Sequence, residues 1–127
     1  MNLQLILAVA FGGAIGSVAR YLVGHGSAKL FGLAFPWGTL IINIVGSFLI
    51  GVFAESFALR WDAPQAVRVF LTVGICGGFT TFSTFSLDAF VLMERGELWP
   101  AAAYMIGSVA LSIGGLLAGL HLMRAAL

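Results

Sequence analysis

Three sets of small or polar residues recur at intervals of four within otherwise apolar stretches of the chain. Four residues make about one helical turn, so the members of each set share one face of a helix. The sets are Thr39, Asn43 and Ser47; Tyr104, Ser108 and Ser112; and Gly12, Gly16 and Arg20. Neutral hydroxyl and amide groups can bind a small ion without trapping it, as conduction requires. The first two sets therefore predict two sides of a narrow polar path.

Asn43 and Arg20 are the members of these sets that most need a partner. The carboxamide of Asn43 places two donors and an acceptor near the middle of an apolar stretch, where hydrocarbon offers no partner. Asn43 either lines a pore or makes an interhelical hydrogen bond, and its polar neighbours favour the pore. Arg20 lies about one turn from the end of its stretch. It either lends positive potential to an anion entrance or anchors its helix, at the headgroups or through Asp88 or Glu94.

Residues 74–86, with the sequence GICGGFTTFSTFS, form the least helix-like part of the chain. Each glycine of Gly77-Gly78 costs a helix roughly 1 kcal/mol relative to alanine, and threonines are weak helix formers as well. We predict a helix break here, near mid-membrane. A break frees backbone carbonyls, which coordinate cations, and creates a half-helix N-terminus, which attracts anions. The alternative is a kinked helix whose Ser and Thr hydroxyls bond to their own backbone.

Phe82 and Phe85 stand three residues apart and share a face of the segment that follows the predicted break. Such a pair usually packs against lipid or against the protein core. The edge of an aromatic ring is electropositive, however, and two ring edges turned towards a pore could hold an anion without a full charge nearby. The sequence leaves both interpretations open.

The elements that carry these residues are four apolar stretches, at about 3–24, 35–59, 67–93 and 98–123. Each can cross a membrane, which takes about 20 residues of helix. Of the 127 residues, 61% are hydrophobic and 9% are charged, against roughly 25% charged in soluble domains. This composition excludes a soluble domain, a nucleic-acid binder and a disordered tail. We predict an all-α integral membrane protein, with a single four-helix transmembrane domain over residues 1–127.

The positive charges do not favour one orientation in the membrane. With four spans, Arg60, Arg68 and Arg124 fall on one side, and Lys29, Arg95 and an outward-reaching Arg20 fall on the other. The positive-inside rule therefore predicts either a weak bias set by the first span or insertion in both orientations. Chains inserted in both orientations can pair as an antiparallel dimer, with the two-fold axis in the membrane plane.

Three segments of the chain resemble the signatures of one family of membrane proteins, the Fluc (CrcB) fluoride channels. They are GGAIGSVARY at 12–21, GTLIINIVGSF at 38–48 and GICGGFTTFSTF at 74–85. The resemblance implies a channel in the cell (inner) membrane that carries fluoride passively out of the cell and so relieves fluoride toxicity. It also implies an antiparallel, dual-topology homodimer with two pores, each built from both subunits. The expected partners are fluoride, a second copy of the chain and the lipid bilayer, without nucleic acid.

By the same resemblance, five side chains would line the fluoride path: Asn43, Phe82, Phe85, Tyr104 and Ser108. The polar sets add Thr39 and Ser112, and Arg20 matches the arginine that ends the first signature. The backbone carbonyls of Gly77 and Thr80, from both subunits, would hold a structural sodium ion that is not transported.

Two other classes of membrane protein fit the sequence less well. Small dual-topology multidrug exporters, which exchange protons for cationic drugs, have similar length and four spans. They need a carboxylate deep in the first span, and residues 3–24 contain none. A non-transporting assembly subunit would leave the polar sets without a purpose. An enzyme is not expected, since the sequence shows no nucleophile–base pair and no cluster of metal ligands.

Overall fold

The computed structural model describes residues 2–127, so that residue 1 of the predicted domain lies outside the described part. All regular structure within residues 2–127 is helical, which confirms the predicted all-α class. The α-helices are α1 (Leu3–Phe31), α2 (Trp37–Leu59), α3 (Gln65–Val69), α4 (Gly77–Phe79), α5 (Phe82–Glu94) and α6 (Leu98–Ala126), and a π-helical segment, Phe70–Cys76, joins α3 to α4.

Four helical stretches are long and apolar enough to cross a membrane: α1, α2, the third span Gln65–Glu94, and α6. They overlap the four predicted stretches and run past several of the predicted ends. The helix α1 continues to Phe31 and ends at Gly32, whose φ of 78° is accessible to glycine without strain. Many large apolar side chains point outward, among them Ile106 at 71% exposure, as expected of helices that face lipid.

Glycine contacts bring α1 against the third span. A Cβ atom at Gly12 would lie 2.6 Å from the Phe70 carbonyl oxygen, and one at Gly16 would collide with the Ile75 carbonyl oxygen. A Cβ atom at Gly78 would lie 2.7 Å from the carbonyl oxygen of Gly13. Small residues at helix contacts let the two backbones approach closely. The predicted face of Gly12, Gly16 and Arg20 is therefore the face that packs on the third span.

A second glycine contact joins α2 to α6. Added Cβ atoms at Gly51 and Gly119 would meet backbone atoms of the facing helix, the carbonyl oxygens of Leu116 and Phe48 respectively. Towards one end of this contact, two nitrogen atoms of Arg124 donate to one carboxylate oxygen of Glu55, at 2.8 and 3.2 Å. The side chain of Glu55 is buried, and this ion pair gives its charge a partner.

The third span contains two residues with extended backbone, Thr80 (φ −78°, ψ 157°) and Thr81 (φ −151°, ψ 120°). We call these two residues the interruption. The hydroxyl of Thr80 donates at 3.0 Å to the carbonyl of Cys76, the last residue of the π-helical segment. The hydroxyl of Thr81 accepts from the amide of Thr84 at 3.2 Å and caps the start of α5. The helix thus stops at Phe79, directly after Gly77-Gly78, and restarts at Phe82.

Candidate functional site

A cavity of about 310 Å³ lies beside the interruption, between α2, α5 and α6. Its lining includes residues from both polar sets and from the aromatic pair: Asn43, Ser47, Phe82, Phe85, Ser108 and Ser112. We call it the polar cavity. Five of the side chains predicted for the ion path are thus brought together, although they come from positions up to 69 residues apart in the sequence.

The carboxamide of Asn43 is bound to the interruption by two hydrogen bonds. Its Nδ2 donates to the carbonyl of Thr81 at 3.0 Å, and its Oδ1 accepts from the amide of Thr81 at 2.8 Å. The pair of bonds resembles one rung of a β-ladder, with a side-chain amide in place of a second strand. Asn43 therefore does make the interhelical contact that is one of its two interpretations. One N–H of its amide is left over, and the residue also borders the polar cavity.

Ser108 brings a second donor to the polar cavity. The residue is 5% exposed, and its hydroxyl oxygen is buried without a hydrogen-bond partner among the described residues. Buried hydroxyls are nearly always paired, because leaving one unpaired costs about 1–3 kcal/mol. A donor in this position is available to a ligand in the cavity. Ser112, one helical turn along the same face, also borders the cavity.

Aromatic rings form another part of the cavity wall. The ring centroids of Phe82 and Phe85 are 5.4 Å apart, with an angle of 46° between the planes. Phe85 contacts the ring of the fully buried Tyr104, at 5.1 Å between centroids. Phe82 is 77% exposed at the rim of the cavity. The ring of Phe85 is thus held by core packing, while the ring of Phe82 lies outside the core of the chain.

A second cavity, of about 420 Å³, lies between α1, α2 and α5. It contains the remaining predicted path residues Arg20 and Thr39, together with Asp88. We call it the outer cavity. Thr39 stands one helical turn before Asn43, so one face of α2 borders both cavities. Tyr104 lines neither cavity, but its hydroxyl donates to the carboxylate of Asp88 at 3.0 Å.

Arg20 makes neither of the carboxylate contacts considered from the sequence. Its Nε donates to the carbonyl of Gly78 at 3.2 Å, and Asp88 is bound by Tyr104 instead. The glycine contact between α1 and the third span explains the choice, because it places Arg20 beside the helix end that carries Gly78.

The carbonyls of Gly77 and Thr80 have lost the donors that a continuous helix would supply. The amide of Thr81 would bond to Gly77, but it donates to Asn43. The amide of Thr84 would bond to Thr80, but it donates to the Thr81 hydroxyl. Gly77 is exposed in the single chain, and the described residues hold no cluster of His, Cys, Asp or Glu side chains around a metal site. Neutral carbonyl oxygens of this kind suit a monovalent cation.

Four apolar spans around polar cavities define a small multi-pass membrane protein. A family model described as CrcB-like protein, Camphor Resistance (CrcB), matches residues 7–120. The chain belongs to the CrcB family, which confirms the resemblance found in its three signatures.

Several relatives are similar to this chain over nearly its whole length. It is 67% identical to the fluoride-specific ion channel FluC of Nitrobacter winogradskyi, over 98% of each chain. It is 57% identical to the protein of the same name from Rhizobium johnstonii, over 97% of this chain and 98% of the relative. These relatives are named as ion channels and not as enzymes, in agreement with the class predicted from the sequence.

Two contacts at the site were missed by the sequence analysis. The first is the contact of Asn43 with the Thr81 backbone. A side chain that bonds to main-chain atoms does not require any particular residue type in its partner, so the sequence cannot reveal the pair. The second is the bond from Tyr104 to Asp88, for which the sequence suggested Arg20 as a partner. The close approach of α5 to α6 along their hairpin brings these two residues together.

We predict that Asn43→Ala loosens the interruption. The substitution removes two hydrogen bonds, worth about 1 kcal/mol each, so amide exchange over residues 80–84 is expected to quicken at least tenfold. Hydrogen–deuterium exchange in detergent or nanodiscs measures this directly. Ser47→Ala is the matched control, since Ser47 lies one turn along the same face and its side chain makes no hydrogen bond within residues 2–127. Equal exchange in both variants would show that Asn43 does not hold the interruption.

Proposed function

We propose that this chain forms a fluoride-selective ion channel that carries fluoride passively out of the cell and relieves fluoride toxicity. The observation that carries the proposal is the polar cavity, where Ser108, whose buried hydroxyl has no partner among residues 2–127, lines the same wall space as Asn43 and the two phenylalanine rings. The name shared by the close relatives supports the choice of fluoride.

The chemistry of the polar cavity suits a small, strongly hydrated anion. Such an ion gives up its water only where many fixed donors replace it. Hydroxyl and amide donors are present at Ser108, Ser112 and Asn43, and Phe82 and Phe85 would add to them by turning their positive ring edges to the ion. None of the residues bordering this cavity carries a formal charge. An anion is therefore attracted without being trapped by a cation.

The path we propose runs from the outer cavity into the polar cavity. Arg20 and Thr39 line the outer cavity, where incoming anions would still hold part of their water. The side of α2 that carries Thr39 continues to Asn43, and Ser108 and Ser112 extend the path along α6. Tyr104 supports the ring of Phe85 from behind.

The proton-coupled export of cationic drugs receives no support from the first span. The whole of α1 contains no Asp or Glu, and its charged residues are Arg20 and Lys29. A carboxylate in this helix is what that chemistry needs, and membership of the CrcB family points away from it as well.

Ion efflux from proteoliposomes tests the proposal. We expect the wild-type chain to release fluoride much faster than chloride. Ser108→Ala and Phe82→Ile should each lower fluoride flux by about threefold to tenfold, since each removes one interaction worth roughly 1 kcal/mol. The control is Ser56→Ala. In the wild type the Ser56 hydroxyl donates to the Val52 carbonyl of its own helix, and the residue lies outside both cavities. Equal fluoride and chloride release by the wild type would overturn fluoride selectivity.

We infer that the working unit is an antiparallel homodimer with two pores in the inner membrane. Phe82 is 77% exposed at the rim of the polar cavity, so a single chain walls only part of the path. Gly77 is exposed too, and a Cβ atom there would meet only the Thr72 carbonyl oxygen, at 3.6 Å. A second copy that covers this surface would complete the path. With Arg20 held at the Gly78 carbonyl, three positive charges stand on one side against two on the other, a bias small enough to allow insertion in both orientations.

Biasing the orientation tests the antiparallel arrangement. Two lysines added near Asp62, between α2 and α3, should fix one orientation and abolish most of the flux. Two lysines added near Gly32, between α1 and α2, should fix the other orientation. Co-expression of the two variants should restore flux, because only together do they supply both orientations. Full activity of either variant alone would rule out antiparallel assembly.

We also propose that a sodium ion binds at the two-fold axis between the interruptions. The freed carbonyls of Gly77 and Thr80 support this site, since two copies would supply four neutral oxygen ligands. Divalent ions prefer anionic oxygen ligands, and the segment from Gly74 to Ser86 has none. When bound, the ion supplies a fixed positive charge that stabilises the dimer and favours anions nearby.

Replacing sodium by N-methyl-D-glucamine should lower the thermal stability of the dimer and reduce fluoride flux. Gly77→Val should have the same effect in the presence of sodium. The single chain has room for a small side chain at this position, but in the proposed dimer the second subunit would occupy that space. Thr80→Val, which keeps the backbone carbonyl, is the matched control and should retain the sodium response. Dimer stability and flux that do not change without sodium would contradict the site.

A further inference from the structure

The contact from Arg20 to Gly78 is not explained by anion attraction. In a continuous helix the carbonyl of Gly78 would accept from the amide of Phe82, but Phe82 begins a new helix beyond the interruption. The Nε of Arg20 takes the place of that amide, at 3.2 Å and 58 residues away in the sequence. A cation at this place also opposes the negative end of the preceding helix dipole.

The packing of α1 makes this contact specific. The glycine face of α1 lets its backbone lie against the third span, and a Cβ atom at Gly16 would come within 2.8 Å of the Phe79 amide nitrogen. Arg20 stands one turn further on the same face, level with the end of the helix that carries Gly78. The side chain is therefore delivered to one carbonyl, beside the two carbonyls of Gly77 and Thr80.

We propose that Arg20 is a positioning residue, which holds the last helical turn before the interruption through the carbonyl of Gly78. The role rests on the proposed function, because the turn it holds places the Gly77 and Thr80 carbonyls and leads into Phe82. Asn43 holds the interruption at Thr81 from α2, and Arg20 holds the turn before it at Gly78 from α1. Loss of the Nε donor releases the attachment at Gly78, whatever the charge of the side chain.

Three substitutions separate the donor from the charge. In Arg20→Gln, Nε2 is bonded to Cδ, as Nε is in arginine, so the donor is kept and the charge is lost. Arg20→Met has neither a donor nor a charge. Arg20→Lys keeps the charge, but places a methylene group where Nε was and its ammonium one bond further on. A positioning role predicts that the glutamine variant keeps the contact to the Gly78 carbonyl and the methionine variant loses it.

Hydrogen–deuterium exchange over residues 76–83 is the first measurement. We expect the methionine variant to exchange about tenfold faster than wild type, and the glutamine variant to stay within about twofold. The ratio of fluoride to chloride flux in proteoliposomes is the second measurement. It should fall in the methionine variant and be restored by glutamine, whereas a loss of overall stability alone would lower both fluxes together.

The outcomes distinguish this role from the alternatives. Wild-type exchange in the methionine variant would overturn positioning, as would a lysine variant that matches wild type while glutamine behaves like methionine. That second result would assign Arg20 to electrostatic attraction of anions. A wild type that conducts no fluoride would reject the proposed function, but the order of exchange rates among the three variants would still test the contact to Gly78.

Discussion

A backbone group in apolar surroundings must find a hydrogen-bond partner, and the interruption at Thr80 and Thr81 concentrates that requirement at one place. Side chains satisfy part of it. Asn43 takes both polar groups of the Thr81 backbone, Arg20 takes the Gly78 carbonyl, and the Thr81 hydroxyl takes the amide of Thr84. The carbonyls of Gly77 and Thr80 are left with no helical donor, so the chemistry proposed for this protein is centred on them.

The rest of the bundle follows from the need to bring those side chains to the interruption. Arg20 reaches Gly78 only because Gly12 and Gly16 let α1 lie directly on the third span. Asn43 reaches Thr81 from a helix that packs closely on α6 through Gly51 and Gly119, and α6 carries Ser108. In a membrane, tight packing and hydrogen bonding replace the hydrophobic effect as the forces between helices. Here both forces converge on the same few turns.

Much of this arrangement could be predicted from the sequence, because it depends on the composition of the spans and on the spacing of their polar residues. The lengths of the apolar stretches predict four spans, and spacings of four residues place Asn43, Ser108 and Ser112 on faces that the structure turns into one cavity. The sequence also marks the weak helical segment at Gly77-Gly78. It does not show that Thr80 and Thr81 are the extended residues, because the position of a helix end depends on which outside groups accept and donate there. Nor does it show that Arg20 binds a carbonyl instead of a carboxylate, since that choice depends on how closely α1 approaches.

The bond between Asn43 and Thr81 joins a side chain to main-chain atoms, and this has a consequence for how the family varies. Any amino acid except proline offers the same amide and carbonyl at position 81, so a change there calls for no compensating change at position 43. The side chain at position 81 is constrained only by its role as the cap of α5, which serine, aspartate and asparagine can also fill. One of the firmest links between the second and third spans should therefore leave no correlated substitutions. Contact inference from coevolving positions would overlook it, although position 43 itself would vary little.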